Sequence, residues 1–128
     1  MLKKEVLRRK DDFTAIYRKG RSIGERYIVF FYRKNDLSYN RTAFLASKKV
    51  GNSVERNRAR RLMKENYRIW KGEIKDGYDM IFIARSTING QKAFDVGKSM
   101  KRALHKAKMF QKKKYIRTFH YCQNLGQH

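Results

Sequence analysis

The residues able to do acid–base, nucleophilic or metal chemistry are few in this chain and poorly spaced for it. His105, His120 and His128 with Cys122 form a loose set in which only His120 and Cys122 are close, short of the convergent ligands a zinc site needs. The same two residues lack the orienting scaffold of a nucleophilic pair. Asp76, Asp79 and Asp95 are isolated and make no D-x-D or clustered carboxylate of the kind a metal-dependent nuclease uses. Gly51 and Gly72 belong to no GxxxxGK phosphate loop. What the chain does carry, at regular spacing, is fixed positive charge.

That charge is densest from Ser47 to Arg68, SKKVGNSVERNRARRLMKENYR, with eight basic and two acidic residues. At about 100° per residue on a helix, Arg56, Asn57, Arg60, Arg61, Lys64 and Arg68 share an arc of roughly 140°. Ala59, Leu62, Met63, Asn66, Tyr67, Ile69 and Trp70 fill most of the remainder. One side can pack on a core while the other holds a cationic row about 18 Å long. Mixed Lys/Glu rows are usually solvated faces. This row is nearly all one sign and mainly Arg, whose planar fork matches phosphate geometry. It points to nucleic acid, held through phosphates without reading base sequence.

Composition sets the frame. The 128 residues suit one compact domain, and 41% apolar content with one Trp, eight Tyr and eight Phe can build a core. Lys and Arg outnumber acids 33 to 11, a net charge of +22 that repels itself and calls for a neutralising partner. Proline is absent, which excludes proline-rich linkers. The single cysteine, Cys122, cannot form an intrachain disulfide and fits a reducing compartment. The start MLKKEVLRRKDDF lacks the apolar segment of a secretory signal. The runs Tyr27–Tyr32 and Met80–Ala84 fall far below the roughly 18 residues of a membrane span. The expectation is a soluble, cytoplasmic protein with no membrane partner.

The elements that must position the cationic row can be read in order. Asp11 or Asp12 caps a short helix with Phe13, Ile16 and Tyr17 on one face, and Gly20 ends it in a left-handed position. Ser22–Arg33 reads as a strand apolar on both faces, Tyr27, Val29 and Phe31 on one and Ile28, Phe30 and Tyr32 on the other. Asn35–Asn40 reads as a hairpin turn, and Arg41–Ser47 as the next strand. Asn52 or Ser53 caps the basic helix, which runs to about Trp70. Asp79–Ala84 is a continuous apolar strand. From about Lys92 a helix turns Phe94, Val96, Met100, Ala103, Leu104, Ala107 and Phe110 inward, and Lys98, Lys101, Arg102, His105 and Lys106 outward. The order αβ(β)βαβα predicts an α+β two-layer sandwich with about four strands, formed by residues 1–110. Residues 111–128 read as a basic tail with little periodicity.

A second candidate is aromatic. A helix carrying Phe13 and Tyr17 can lie across a sheet face carrying Tyr27, Val29 and Phe31. Rings in a basic cleft can stack on single-stranded bases at roughly 1–3 kcal/mol each. Spacing alone favours ordinary core for these rings.

Ser47-Lys48-Lys49-Val50-Gly51-Asn52-Ser53-Val54, then Arg56-Asn57-Arg58 and Arg60-Arg61, resemble the signature of the bacterial ribonuclease P protein component. Asp12-Phe13, Tyr17, Gly20, Arg26–Phe31 and Gly77–Arg85 match in the same order, so the resemblance covers about Leu2 to Lys108. It implies the protein subunit of a ribonucleoprotein that removes the 5′ leader from precursor tRNA. It further implies that a catalytic RNA carries the active site, with Mg²⁺ held mainly by RNA and substrate, and one protein per RNA. By position, Arg56, Asn57, Arg58, Arg60, Arg61, Lys64 and Arg68, with Lys48 and Lys49 leading in, would contact that RNA. Phe13, Tyr17, Tyr27 and Phe31 would form the leader cleft, which reverses the preference for core. The resemblance also implies a left-handed β-α-β crossover, against the general right-handed rule.

Three positions depart from the family pattern. Tyr17 stands where phenylalanine is common and Phe31 where tyrosine is common, so both keep a ring and change the polar handle. Lys64 replaces a frequent arginine, keeping charge and losing the fork. Two other classes share parts of this pattern. A ribosomal-type structural RNA-binding protein would share charge and size. A helix-turn-helix DNA binder would need a helix next to the basic one, where strands are predicted instead.

Overall fold

A computed structural model of the chain describes residues 2–111. A 3₁₀ turn at Lys3–Glu5 precedes α1 (Lys10–Lys19). Then come β1 (Arg21–Gly24), β2 (Ile28–Lys34), β3 (Arg41–Leu45), α2 (Ser53–Trp70), β4 (Tyr78–Ala84) and α3 (Ala93–Lys106). The strands form one sheet in the order β1-β2-β4-β3. β4 is antiparallel to β2 and parallel to β3, so β3-α2-β4 is a crossover unit with α2 as its helix.

The pleat explains the layers. Ile28, Phe30, Phe44, Met80, Phe82 and Ala84 share a core with Leu62, Met63 and Tyr67 of α2 and with Val96, Met100, Ala103 and Leu104 of α3. Phe82 stacks between Phe30 and Phe44, at centroid distances of 4.8 and 5.4 Å. The sheet with α2 and α3 is the expected α+β sandwich. Residues of opposite parity, Ala43 and Ile81, pack with Leu7 and with Ile16 of α1 on the other sheet face. Strands apolar on both faces therefore have cover on both.

Several local expectations need correcting. Ser22–Arg33 is two strands: Glu25 N–H donates to Ile28 O at 2.8 Å and closes a hairpin between β1 and β2. Asn35–Asn40 is not a hairpin turn, because β4 inserts between the strands it joins. Gly20 ends α1 with extended φ/ψ of −83° and −177°, not a left-handed cap. It is required for close approach instead, since a Cβ there would run into the carbonyls of Ile16 and Tyr32. Phe94 and Ile69 were expected inside and are 73% and 69% exposed. Phe94 lies two residues before buried Val96, a spacing that puts them on different helix faces. Of the tail expected over residues 111–128, residues 112–128 lie outside the described residues. Its first expected residue, Gln111, is hydrogen-bonded to the domain through Glu73 O and Ile74 O.

Two polar devices hold the helices in place. Asn66, the polar residue on the buried stripe of α2, donates to Leu62 O at 2.9 Å and to Ala93 O at 3.0 Å, joining α2 to the start of α3. Gly97 leaves room for it, since a Cβ there would collide with Asn66 Oδ1. On the other side of β4, Asp79 is 3% exposed and accepts from Arg41 Nε at 2.8 Å and Nη2 at 2.7 Å, and from Asn35 Nδ2 at 2.9 Å. Arg41 Nη1 reaches Asp12 of α1 at 3.3 Å, so one guanidinium ties α1 to β3 and β4. The Asp79 hydrogen bond is the main cause that raises the Arg41 pKa.

Candidate nucleic-acid interface

The basic helix begins where its sequence signals place it. Asn52 is the N-cap: its side chain accepts from Glu55 N at 2.9 Å, and Glu55 Oε1 accepts from Asn52 N at 3.0 Å, a reciprocal capping box. Gly51, at φ 143°, makes room for that carboxylate, which a Cβ would strike. Ala59, Leu62, Met63, Asn66 and Tyr67 are buried, so the opposite arc is turned outward.

On that arc Asn57, Arg61, Lys64 and Arg68 are exposed, and Arg56 and Arg60 are half-buried. Arg56 donates to Gly51 O at 3.1 Å and to Ser53 Oγ at 3.3 Å, and Arg60 donates to Asn57 Oδ1. These bonds fix the two guanidinium planes and leave other N–H groups outward. Among the described residues Arg61 has one ion-pair contact, a long one with Glu65 at 4.0 Å. Lys48 and Lys49 are exposed in the turn before the helix. Arg58 is set apart: it lies off the arc and donates to Gln91 O at 2.5 Å, anchoring α2 to the loop before α3.

Across the sheet, Tyr17 and Phe31 meet edge to face at 5.0 Å, and Phe13 lies 6.5 Å from Tyr17. Tyr17 is 44% exposed, and Phe13 and Phe31 are partly so. Partial burial raises the Tyr17 pKa, so its hydroxyl is a neutral donor at pH 7. Tyr27 does not join them. It packs on the larger cluster, on the α2–α3 side, with Arg26 5.8 Å above its ring. The alternation begins only at Ile28, so the hairpin residue Tyr27 does not continue the face of Val29 and Phe31.

A groove of about 580 Å³ runs beside edge strand β3 and joins the two candidate surfaces. Its lining includes Val6, Leu7, Phe13, Thr42, Ala43, Phe44 and Leu45 together with Arg61, Lys64, Glu65, Tyr67, Arg68 and Lys71. Sequence reasoning missed Lys71, which is bound to Glu5 at 3.0 Å, and the part played by the N-terminal segment. Leu7 N–H donates to Thr42 O at 2.9 Å and Val6 bridges Thr42, so that segment lies along the β3 edge. A groove lined by apolar side chains, a ring and several cations matches the bases and phosphates of a single strand.

No group of three or more His, Cys, Asp or Glu residues that could hold a metal ion occurs among the described residues. The paired carboxylates are already engaged: Asp79 and Asp12 by Arg41, Glu25 by Lys106, Glu5 by Lys71. Carboxylates held in these ion pairs are not free to ligate magnesium. No described helix is long and apolar enough to cross a membrane.

Comparison with known proteins gives one consistent answer. The family model described as Ribonuclease P matches residues 1–108. The Ribonuclease P protein component of Clostridium perfringens is 39% identical over 119 residues, covering 88% of this chain and 95% of that one. That of Thermoanaerobacter sp. is 36% identical over 104 residues, covering 81% and 90%. Among solved structures, the Staphylococcus aureus RNase P protein superposes with TM-score 0.76 at 31% identity, covering 84% of this chain and 98% of that one.

Proposed function

Because this chain belongs to the ribonuclease P protein family, whose endoribonuclease acts in 5′ processing of tRNA, we propose that it works there as a clamp between two RNAs. The α2 row, with Lys48 and Lys49, docks on the RNA subunit. The rings Phe13, Tyr17 and Phe31, together with the β3 groove, receive the single-stranded leader of precursor tRNA. The observation that carries this reading is the shared groove, which Phe13 lines together with Arg61, Lys64 and Arg68.

Cleavage chemistry belongs to the RNA subunit, with Mg²⁺ held by RNA and substrate. The protein's residues bind and orient. Ring faces stack on bases, and cations neutralise phosphates that would otherwise repel each other where leader and RNA subunit converge. One protein serves one RNA, in the cytoplasm. Stacking and phosphate contact read little sequence, so many leaders are accepted. The family's crossover hand, left-handed, is part of the same proposal.

Phe13→Ala with Tyr17→Ala tests the leader site. At roughly 1–3 kcal/mol per stacked base, the reconstituted enzyme should bind precursor tRNA at least about tenfold more weakly. Its affinity for mature tRNA, which lacks a leader, should hold. Equal losses for both ligands would remove the leader contact from the account.

A further inference from the structure

Helix α3 has an outer face that the clamp does not use. Its inner stripe, Val96, Gly97, Ser99, Met100, Ala103 and Leu104, is buried. On the opposite side Phe94, Lys98, Lys101 and Arg102 are all exposed, on an arc of about 100°. Phe94 is 73% exposed, and Lys98 Nζ lies 5.3 Å from its ring centroid. An aromatic ring left in water beside a cation is a costly surface for a monomer and a ready platform for a base.

The charge here is unbalanced. Asp95 is the single acid in the helix. Lys106 is taken by the buried Glu25 at 2.6 Å, so it is excluded from the surface. Among the described residues Lys98, Lys101 and Arg102 make no ion pair. Burial and then Lys101 pull the His105 pKa below its ordinary value, so His105 adds no charge at neutral pH.

Position decides which RNA this face meets. α3 packs beside α2 on one side of the sheet, whereas Phe13 and Phe31 belong to the cluster on the other. A leader held at those rings is separated from α3 by the sheet. The RNA docked on α2 lies on the same side as α3, about one helix spacing, 8–10 Å, away.

We propose that the outer face of α3, formed by Phe94, Lys98, Lys101 and Arg102, is a second docking surface for the RNA subunit. The three cations lie along its phosphate backbone and Phe94 stacks on an unpaired base beside them. The inference rests on the reading of α2 as the first such surface. Two surfaces on adjacent helices fix an orientation that one row would leave free to rotate about its axis.

The test uses the full chain and the RNA-subunit transcript, with Kd measured across a KCl series. Lys98→Gln with Lys101→Gln and Arg102→Gln should lower the slope of log K against log salt by about 2–3 and weaken binding at least about tenfold. Phe94→Ala should weaken binding severalfold with the salt slope kept. In the wild-type complex, footprinting should show a protected RNA patch that the triple variant loses. Urea midpoints confirm folding, and Phe94→Ala alone remains decisive if the triple variant unfolds. Unchanged affinity and footprint, while Arg60, Arg61 and Lys64 variants lose both, would overturn the α3 surface and leave the α2 reading standing. Loss of precursor affinity alone would also overturn it, by assigning the face to substrate. Were the α2 variants inert as well, the docking reading itself would fall.

Discussion

Replacing Arg60, Arg61 and Lys64 together by glutamine is expected to weaken binding of the RNA subunit about a hundredfold at physiological salt. Arg61 and Lys64 are exposed, and Arg60 is held in the row by Asn57. If each neutralises about one phosphate at about 1 kcal/mol, the loss is about 3 kcal/mol. The slope of log K against log salt should fall by about 2–3 at the same time. Glutamine keeps helix propensity, and none of the three is in the core, so the urea midpoint should barely move. A salt slope equal to that of wild type would show that the row faces water in the complex.

The largest effect on the fold should come from a different cation. Arg41→Ala strands the Asp79 carboxylate, 3% exposed, and leaves it Asn35 as side-chain partner among the described residues. It also frees Asp12 at the start of α1. Breaking a buried pair from one side costs about 3–5 kcal/mol, a large part of the 5–15 kcal/mol that holds a domain of this size together. Arg41→Lys keeps the charge and loses the two-pronged grip on Asp79, so it should fall between. Urea unfolding of the three proteins checks the order. An Arg41→Ala midpoint within error of wild type would mean that Asp79 finds another partner or water. Because Asp12 adjoins Phe13, the lysine variant should also loosen the ring cluster while α2 keeps its place.

The α2 row and the Arg41–Asp79 pair also differ in how far the sequence could reveal them. The α2 row was legible because a helix is a local object. The period, the Asn52 cap and the one-signed arc all lie within a single stretch, and the structure keeps each of them. Arg58, outside that arc, has a partner no local pattern shows: the loop carbonyl of Gln91, far along the chain. The Arg41–Asp79 pair had no local signal. It exists because β4 inserts between β2 and β3 and places Asp79 opposite both Arg33 and Arg41. The same insertion defeated the hairpin reading of Asn35–Asn40, since both orders bury the same apolar faces. Tyr27 failed by register, where one residue of offset changes the face. Phe94 failed because helix periodicity was extended one residue pair too far back, and that error exposed a surface worth testing.

The central claim is that this chain positions RNA and the RNA cleaves. The most direct measurement is 5′ processing of precursor tRNA with Mg²⁺ by the purified protein, freed of RNA, before and after addition of the RNA-subunit transcript. The protein alone should yield no mature 5′ end, and cleavage should become efficient once the transcript is added. Cleavage at the mature 5′ end by the RNA-free protein would contradict that claim.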